Sequence, residues 1–207
     1  MSAIALGDGK LHSVYKRANV SEHVGDNAVE DLVEKKIIKI AKAKKGDDRL
    51  YFTTPFLRFW FAFVSPLFKG VRDGDYSEVK ERWENKRSEF FSEVFSRLSR
   101  EVVKKQLKEL QIMKLSSYIQ NDTMLDIYLK TKDKKVFVGV VKYTNSKVKK
   151  SLLTQLEQTA KELGVEPDGY IIVSKSGFSS ELKSLKKKTP LTLLTLKHFK
   201  TLLEDIS

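Results

Sequence analysis

The hydrophobic period of this chain changes at residue 113, and that change limits the folds open to it. Before it, Phe90, Phe91, Val94, Phe95, Leu98, Val102, Leu107 and Leu110 recur at helical spacing within residues 75–112, with charges at the other positions. A long core-facing helix is predicted there. After it the period shortens, and residues 115–119, 124–129 and 136–143 read as strands, the third rich in β-branched side chains. Residues 152–163 return to helical amphipathicity and stop at Gly164. The apolar run 170–173 suits a buried central strand. Residues 178–187 read as helix, 191–196 as strand and 197–204 as a closing helix. The order αβββαβαβα makes the fold class α/β, or α+β once the rest of the chain is included.

The first 66 residues follow a different plan. Residues 2–6 form the stub of a helix, and Leu11, Val14 and Tyr15 mark a second. Residues 19–25 are polar and turn-like. Ala28, Val29, Leu32 and Val33 then lie on one face of a third helix. Ile37, Ile38 and Ile40 read as a strand, 44–48 as a hairpin tip, and Leu50, Tyr51 and Phe52 as the returning strand. Three helices and a two-stranded wing give the order of a winged helix-turn-helix. The segment from Pro55 to Pro66 closes this part, with five aromatics in the eight residues 56–63. Its aromatics have the chemistry to stack on bases, but dense aromatics are better suited to plugging the junction between two domains. The expected division is 1–66, a winged-helix domain ending in an aromatic junction, and 67–207, an α/β domain with an N-terminal helical region.

Charge points to a partner. The net charge is +12, of which +8 falls in residues 130–207, where all 16 basic residues are lysine. That distribution suits either a solvated lysine surface or a face for a polyanion, nucleic acid first. In the first part the third helix is acidic (Asp26, Glu30, Asp31, Glu34) and would be repelled by phosphate. The wing carries Lys39, Lys42, Lys44, Lys45 and Arg49 and is the better DNA-facing element; the alternative is a module used for packing or protein contact. No run of 18 apolar residues exists, so no membrane partner is expected, and a soluble cytoplasmic protein is the default. There is no cysteine, and His12, His23 and His198 have no metal-ligand spacing. The sequence specifies no oligomeric state.

Two residues carry the chemical signal. Asp126 sits among apolar residues in Met124-Leu125-Asp126-Ile127-Tyr128, and Lys142 ends Gly139-Val140-Val141-Lys142-Tyr143. A carboxylate on such a strand puts charge near the interior of a sheet. Residues two apart on a strand share a face, so Val140 and Lys142 point the same way. One reading of Asp126 and Lys142 is a simple salt bridge at a strand edge.

The other reading comes from resemblance. The element order resembles the restriction-endonuclease-like core, whose nucleases carry the PD-(D/E)XK motif: an Asp on the second strand and Glu-x-Lys on the third, the carboxylates holding a divalent metal that activates water. Residues 1–66 resemble the winged-helix segment in the C-terminal region of archaeal-type ATPases of the DEXX-box group. Their Ile-Ala-x-Gly opening is similar to Ile4-Ala5-Leu6-Gly7, and their Asp-Pro-Phe-Leu-Arg-Phe-Trp signature to Thr54-Pro55-Phe56-Leu57-Arg58-Phe59-Trp60. The family continues into a restriction-endonuclease-like domain with Ile-Asp and Gly-Glu-Cys-Lys-Trp on adjacent strands, similar to Leu125-Asp126 and Gly139-Val140-Val141-Lys142-Tyr143, and a Phe-Glu on the preceding helix, where Phe95-Ser96 stands.

The departures define the expectation. Both family glutamates are replaced, by Ser96 and Val140. Gly7-Asp8-Gly9-Lys10 lacks the spacing of a phosphate-cradling loop, so no ATP hydrolysis is expected. What the resemblance then implies is a DNA-binding protein with a degenerate nuclease-like domain, its catalytic remnant Asp126 and Lys142, its phosphate contacts made by Lys42, Lys44, Lys45, Arg49, Lys142, Lys147, Lys149 and Lys150, with no cofactor and no metal site. One alternative is a nuclease with a rearranged site, using Mg or Mn, for which Glu157 would be the migrated acid. A further one is a protein-interaction subunit working with a separate ATPase through the acidic helix at residues 26–36 and the aromatic junction.

Overall fold

A computed structural model describes residues 1–7 and 9–203. Asp8, within the segment 7–10, and Glu204, the expected end of the closing helix, lie outside the described residues. The chain divides into two compact units, Met1–Phe90 and Phe91–Ser207.

In the first unit α1 (Ser2–Ala5), α2 (Leu11–Ala18) and α3 (Glu22–Glu34) precede an antiparallel hairpin of β1 (Ile38–Ala41) and β2 (Arg49–Phe52). The turn expected over 19–25 is shorter. Asn19 closes α2 in the left-handed conformation, and the Ser21 side chain accepts the Val24 N–H to start α3 at Glu22. Gly25 is thereby helical, and its lack of a side chain is structural: a Cβ there would lie 2.6 Å from the Tyr15 ring. The Tyr15 hydroxyl donates to Asp26 at 2.7 Å.

The aromatic segment forms α4 (Pro55–Phe59) and a π-helical turn over Trp60–Val64. Thr54, where the resembled signature has Asp, still does a cap residue's work: it accepts from the Leu57 N–H, with Pro55 in the first turn. Phe63 lies 5.1 Å from Trp83 and 5.9 Å from Phe90 between ring centroids, and Phe59 lies 5.7 Å from Trp83. Arg58 is buried, with its guanidinium 5.7 Å from the Phe90 centroid and 3.4 Å from Glu89. Residues Arg58, Phe59 and Phe63 of this segment thus pack within the first unit, against residues as far along as Phe90. α5 (Phe68–Arg72) follows, and the division falls inside the helix α6 (Ser77–Gln106).

The second unit has the sheet order β3-β4-β5-β6-β7, with β3 (Ile112–Gln120), β4 (Thr123–Thr131), β5 (Val136–Lys142), β6 (Gly169–Ser174) and β7 (Leu191–Thr195). β3, β4 and β5 are antiparallel neighbours; β5, β6 and β7 are parallel. The fold is thus mixed α and β. The parallel strands are linked through α7 (Lys150–Glu162) and α8 (Ser180–Ser184), and both helices pack on one face, Leu153, Leu156 and Leu182 against Leu125, Val138 and Ile172. Phe95, Val102 and Val103 of α6 cover the other face with Ile127, Leu129, Ile171 and Val173. Covering both faces explains why Ile171 and Ile172 are adjacent yet fully buried. Each such side chain contributes about 1.5–3 kcal/mol through burial.

The expected 178–187 helix is α8 plus a 3-10 turn over Leu185–Lys187, and the closing helix is a 3-10 helix over Leu196–Leu202. His198 belongs to its start, where Nδ1 accepts the Thr195 N–H at 3.0 Å. Among the described residues no helix is long and apolar enough to cross a membrane.

Gly139 sets the closest approach in the sheet, since a Cβ there would stand 2.4 Å from the Ile171 carbonyl oxygen. We expect Gly139→Ala to lower the urea-unfolding free energy by about 1–3 kcal/mol, the usual range for overpacking. Unchanged stability would contradict that packing.

Candidate functional site

The β4–β5 ladder runs from Lys130 opposite Val136 to Ile127 opposite Gly139 and stops. Beyond that point β5 continues, paired only to β6. Asp126 is the next β4 residue, and its carboxylate Oδ2 accepts the Val141 N–H at 2.8 Å. A side chain thus takes a β5 donor that would otherwise need a backbone carbonyl.

A β-bulge aims it. Tyr118 pairs with Leu125 and Ser116 with Tyr128, so Asp126 and Ile127 together oppose the single β3 residue Ser117. An extra residue of this kind breaks the two-residue alternation and redirects side chains. Leu125 packs on the α7–α8 face and Ile127 on the α6 face, although they are two apart. Asp126 consequently meets β5 through the edge of that strand, and simple strand periodicity does not describe it.

Lys142, at the end of β5, is half-buried. Asp126 and Lys142 form no ion pair within 4.0 Å among the described residues, so the simple salt bridge is absent, though the lysine charge still acts on the carboxylate. Arg100 of α6 joins the group. Its Nη1 donates to the Asp126 carbonyl oxygen at 3.4 Å and to Ser96 Oγ at 3.3 Å. Ser96, singled out as the position of a lost acid, is therefore linked to Asp126 through an arginine. Burial raises the Asp126 pKa above the usual carboxylate range; the Val141 N–H and the charges of Lys142 and Arg100 pull it back only in part.

These groups do not fit a divalent cation. Magnesium and manganese need several oxygen donors. Here Asp126 supplies one carboxylate with one oxygen already engaged, Val140 is apolar and packs against the α7–α8 side, Ser96 is neutral, and two cations stand nearby. Glu157 is exposed on α7, where its charge, after burial, raises the Tyr170 hydroxyl pKa. Among the described residues no three His, Asp or Glu side chains are grouped to hold a metal ion.

The other expected contacts fall in two places. Lys147, on the loop from β5 into α7, and Lys149 and Lys150, at the start of α7, are exposed at the carboxyl end of the parallel strands, where open α/β sheets bind ligands. That loop is tied to the loop after β6. Val148 N–H donates to Gly177 O at 2.9 Å, Lys175 Nζ donates to Asn145 at 2.8 Å, and the same ammonium stands 4.4 Å above the Tyr143 ring. Lys149 and Lys150 begin α7, facing the positive end of its dipole; Lys150 lies 3.8 Å from Glu181. Lys42, Lys44 and Lys45 are exposed at the hairpin tip of the first unit, and Arg49 is half-buried on β2. Lys42 is partly neutralised by Asp48 at 2.7 Å; burial pushes the Asp48 pKa up, but the bonds from Lys42 and the Ala43 N–H outweigh it and the net shift is downward. His12 connects that tip to α3, bonding Asp47 and lying 3.4 Å from Glu22.

Sequence reasoning missed Arg100 and Lys175. Arg100 stands four residues after Ser96, one helical turn on, which was the available signal. Lys175 directly follows the buried strand β6, and nothing in the sequence announces its contact with residues 143–145.

The family model described as "Archaea bacterial proteins of unknown function" matches residues 60–153, just under half of the chain. No curated protein matches it. Among solved structures, Can2 from Sulfobacillus thermosulfidooxidans in complex with cyclic tetra-adenylate is similar at a TM-score of 0.37 and 11% identity, over 86% of this chain. The chain spans 44% of that protein. A likeness of that size fixes neither fold nor function.

The raised Asp126 pKa has a sign. The folded state holds this proton more tightly than the unfolded one, so ionisation costs stability once pH exceeds the ordinary carboxylate value of about 4. Asp126→Asn keeps an oxygen for the Val141 N–H and removes the charge. It is expected to unfold at a higher temperature than the parent at pH 7, with the gap closing below about pH 4. A lower melting temperature at pH 7 would contradict this.

Proposed function

We propose that this protein binds DNA mainly through phosphate contacts, using a winged-helix first unit and a restriction-endonuclease-like second unit whose catalytic site has decayed. The observation that carries the reading is the charge around Asp126: one carboxylate, two cations and, among the described residues, no second acid acting on it. A hydrolytic site of this type needs two carboxylates for its metal, whereas a binding site needs cations. The lysine excess of residues 130–207, and the three exposed lysines at the mouth of the β5–α7 loop, supply contacts without sequence preference. The three helices and hairpin of the first unit support the winged-helix assignment, and the αβββαβ run supports the endonuclease-like one. The exposed wing lysines are its DNA-facing element, because α3 presents acids to solvent.

A second reading has its own observation. α3 exposes Val24 and Val33 beside Glu30, Asp31 and Glu34. Apolar and acidic surface together suits a basic protein partner, consistent with a subunit that serves a separate ATPase.

Anisotropy of a labelled duplex, titrated at several salt concentrations, tests the first reading. The logarithm of affinity should fall linearly with that of salt, and Lys147→Gln, Lys149→Gln and Lys150→Gln should each reduce the slope by about one unit or less. Absent binding at low salt, or affinity flat with salt, would refute it.

A further inference from the structure

We propose that the sheet edge opposite Asp126 is a docking surface for the phosphate backbone of duplex DNA. The proposal rests on the DNA-binding reading for its partner and on the fold for its place. Lys108, Lys132, Lys134, Lys186, Lys187 and Lys188 are all exposed. They come from three separate stretches of sequence, and the backbone collects those stretches at one end of the strands. Ile112 opens β3 opposite Thr131 at the close of β4. The Lys132 N–H donates to the Gln111 carbonyl at 3.1 Å, directly after the 3-10 turn Lys108–Leu110. Lys132 and Lys134 lie in the turn from β4 into β5, which is closed by the pair Lys130 and Val136. The Asp168 N–H donates to the Val136 carbonyl at 2.7 Å, and the Tyr170 N–H to that of Pro190 at 2.8 Å. These bonds seat the amino ends of β5, β6 and β7 side by side. α8 carries the chain back from the carboxyl end of β6 to the amino end of β7, so the turn holding Lys186, Lys187 and Lys188 lies at this same end.

The charge there is unbalanced. None of the six lysines makes an ion pair among the described residues. The same turns and strand ends carry Glu109, Asp133, Glu166 and Asp168. Two of these acids are already engaged: Asp133 bonds Thr131 and pairs with Lys135 at 2.9 Å, and Asp168 accepts the Val136 N–H at 2.7 Å. Lysines gathered in this way repel one another, and a polyanion relieves that repulsion. Lysine is a flexible point charge without the planar fork of arginine, so it meets phosphates without reading base edges. From the β4–β5 turn to β7 is two to three strand spacings, about 10–14 Å. The major groove of B-DNA is roughly 12 Å wide, so the two lysine turns are spaced to meet phosphates of both strands. Asp126 stands toward the other end of β4, beside Val141, and a duplex on this edge is held away from the catalytic remnant.

Two experiments on the full chain separate this surface from the DNA reading itself. In the first, a labelled duplex is titrated by anisotropy at several salt concentrations against the wild type, Lys132→Gln/Lys134→Gln and Lys186→Gln/Lys187→Gln/Lys188→Gln. Both variants are expected to bind several-fold more weakly at low salt, with salt slopes shallower by about one to three units. In the second, the wild type is acetylated on lysine with and without saturating duplex, and the modified positions are read by mass spectrometry. Protection of residues 132, 134 and 186–188 is expected; this experiment does not depend on any variant folding. Wild-type affinity in both variants, with those lysines modified as fast in the complex as in the free protein, overturns the docking surface and keeps the DNA reading. Weakening without protection is an effect of net charge and also counts against the surface. A wild-type chain that binds no duplex at low salt overturns both, and binding of polyglutamate in its place assigns the edge to an acidic protein.

Discussion

The hydrogen bond from the Val141 N–H to the Asp126 carboxylate is the interaction on which the candidate site depends. It stands where the β4–β5 ladder ends, and it holds together two strands that no longer share backbone hydrogen bonds. Gly139, one ladder position earlier, lets the β6 backbone at Ile171 approach closely. The bulge at Asp126 and Ile127 turns the carboxylate toward the donor. Local backbone geometry, more than pairing of charges, thus determines where the acid sits.

That placement has an electrostatic consequence. A half-buried carboxylate with one oxygen already accepting a hydrogen bond is a single anionic ligand for a divalent ion, and neither Val140 nor Ser96 adds a second carboxylate. The surrounding charges are cationic. Partial burial strengthens electrostatic effects at the site relative to open solvent, and on the proposed reading the same cations that disfavour a metal favour a phosphate. The lysines at the carboxyl ends of β5 and β6 extend this preference onto the surface, and the contacts between the two loops hold them in fixed register.

Much of the second unit was legible because burial imposes strong patterns. The 136–143 run predicted β5, the Gly164 stop marks the end of α7, and the doubly covered strand β6 reads as continuous apolar sequence. The beginning of α3 was not legible, since Gly25 reads as a turn residue until its contact with the Tyr15 ring is known. The role of residues 55–66 was also hidden. Aromatic density announces burial but not its partner, and Trp83 and Phe90 come much later in the chain than Phe63. At the site, Asp126 and Lys142 stood out by residue type. The bulge did not, because it depends on the register with β3, and neither did Arg100, whose contact bridges α6 and β4.

On the proposed reading this protein meets phosphate with its own cations and without a metal. Duplex affinity compared in EDTA and in manganese at matched ionic strength tests it most directly. Equal affinity, or weaker binding with manganese, and intact DNA in both are expected. Binding that requires the metal, or cleavage that is lost on Asp126→Ala, would contradict it.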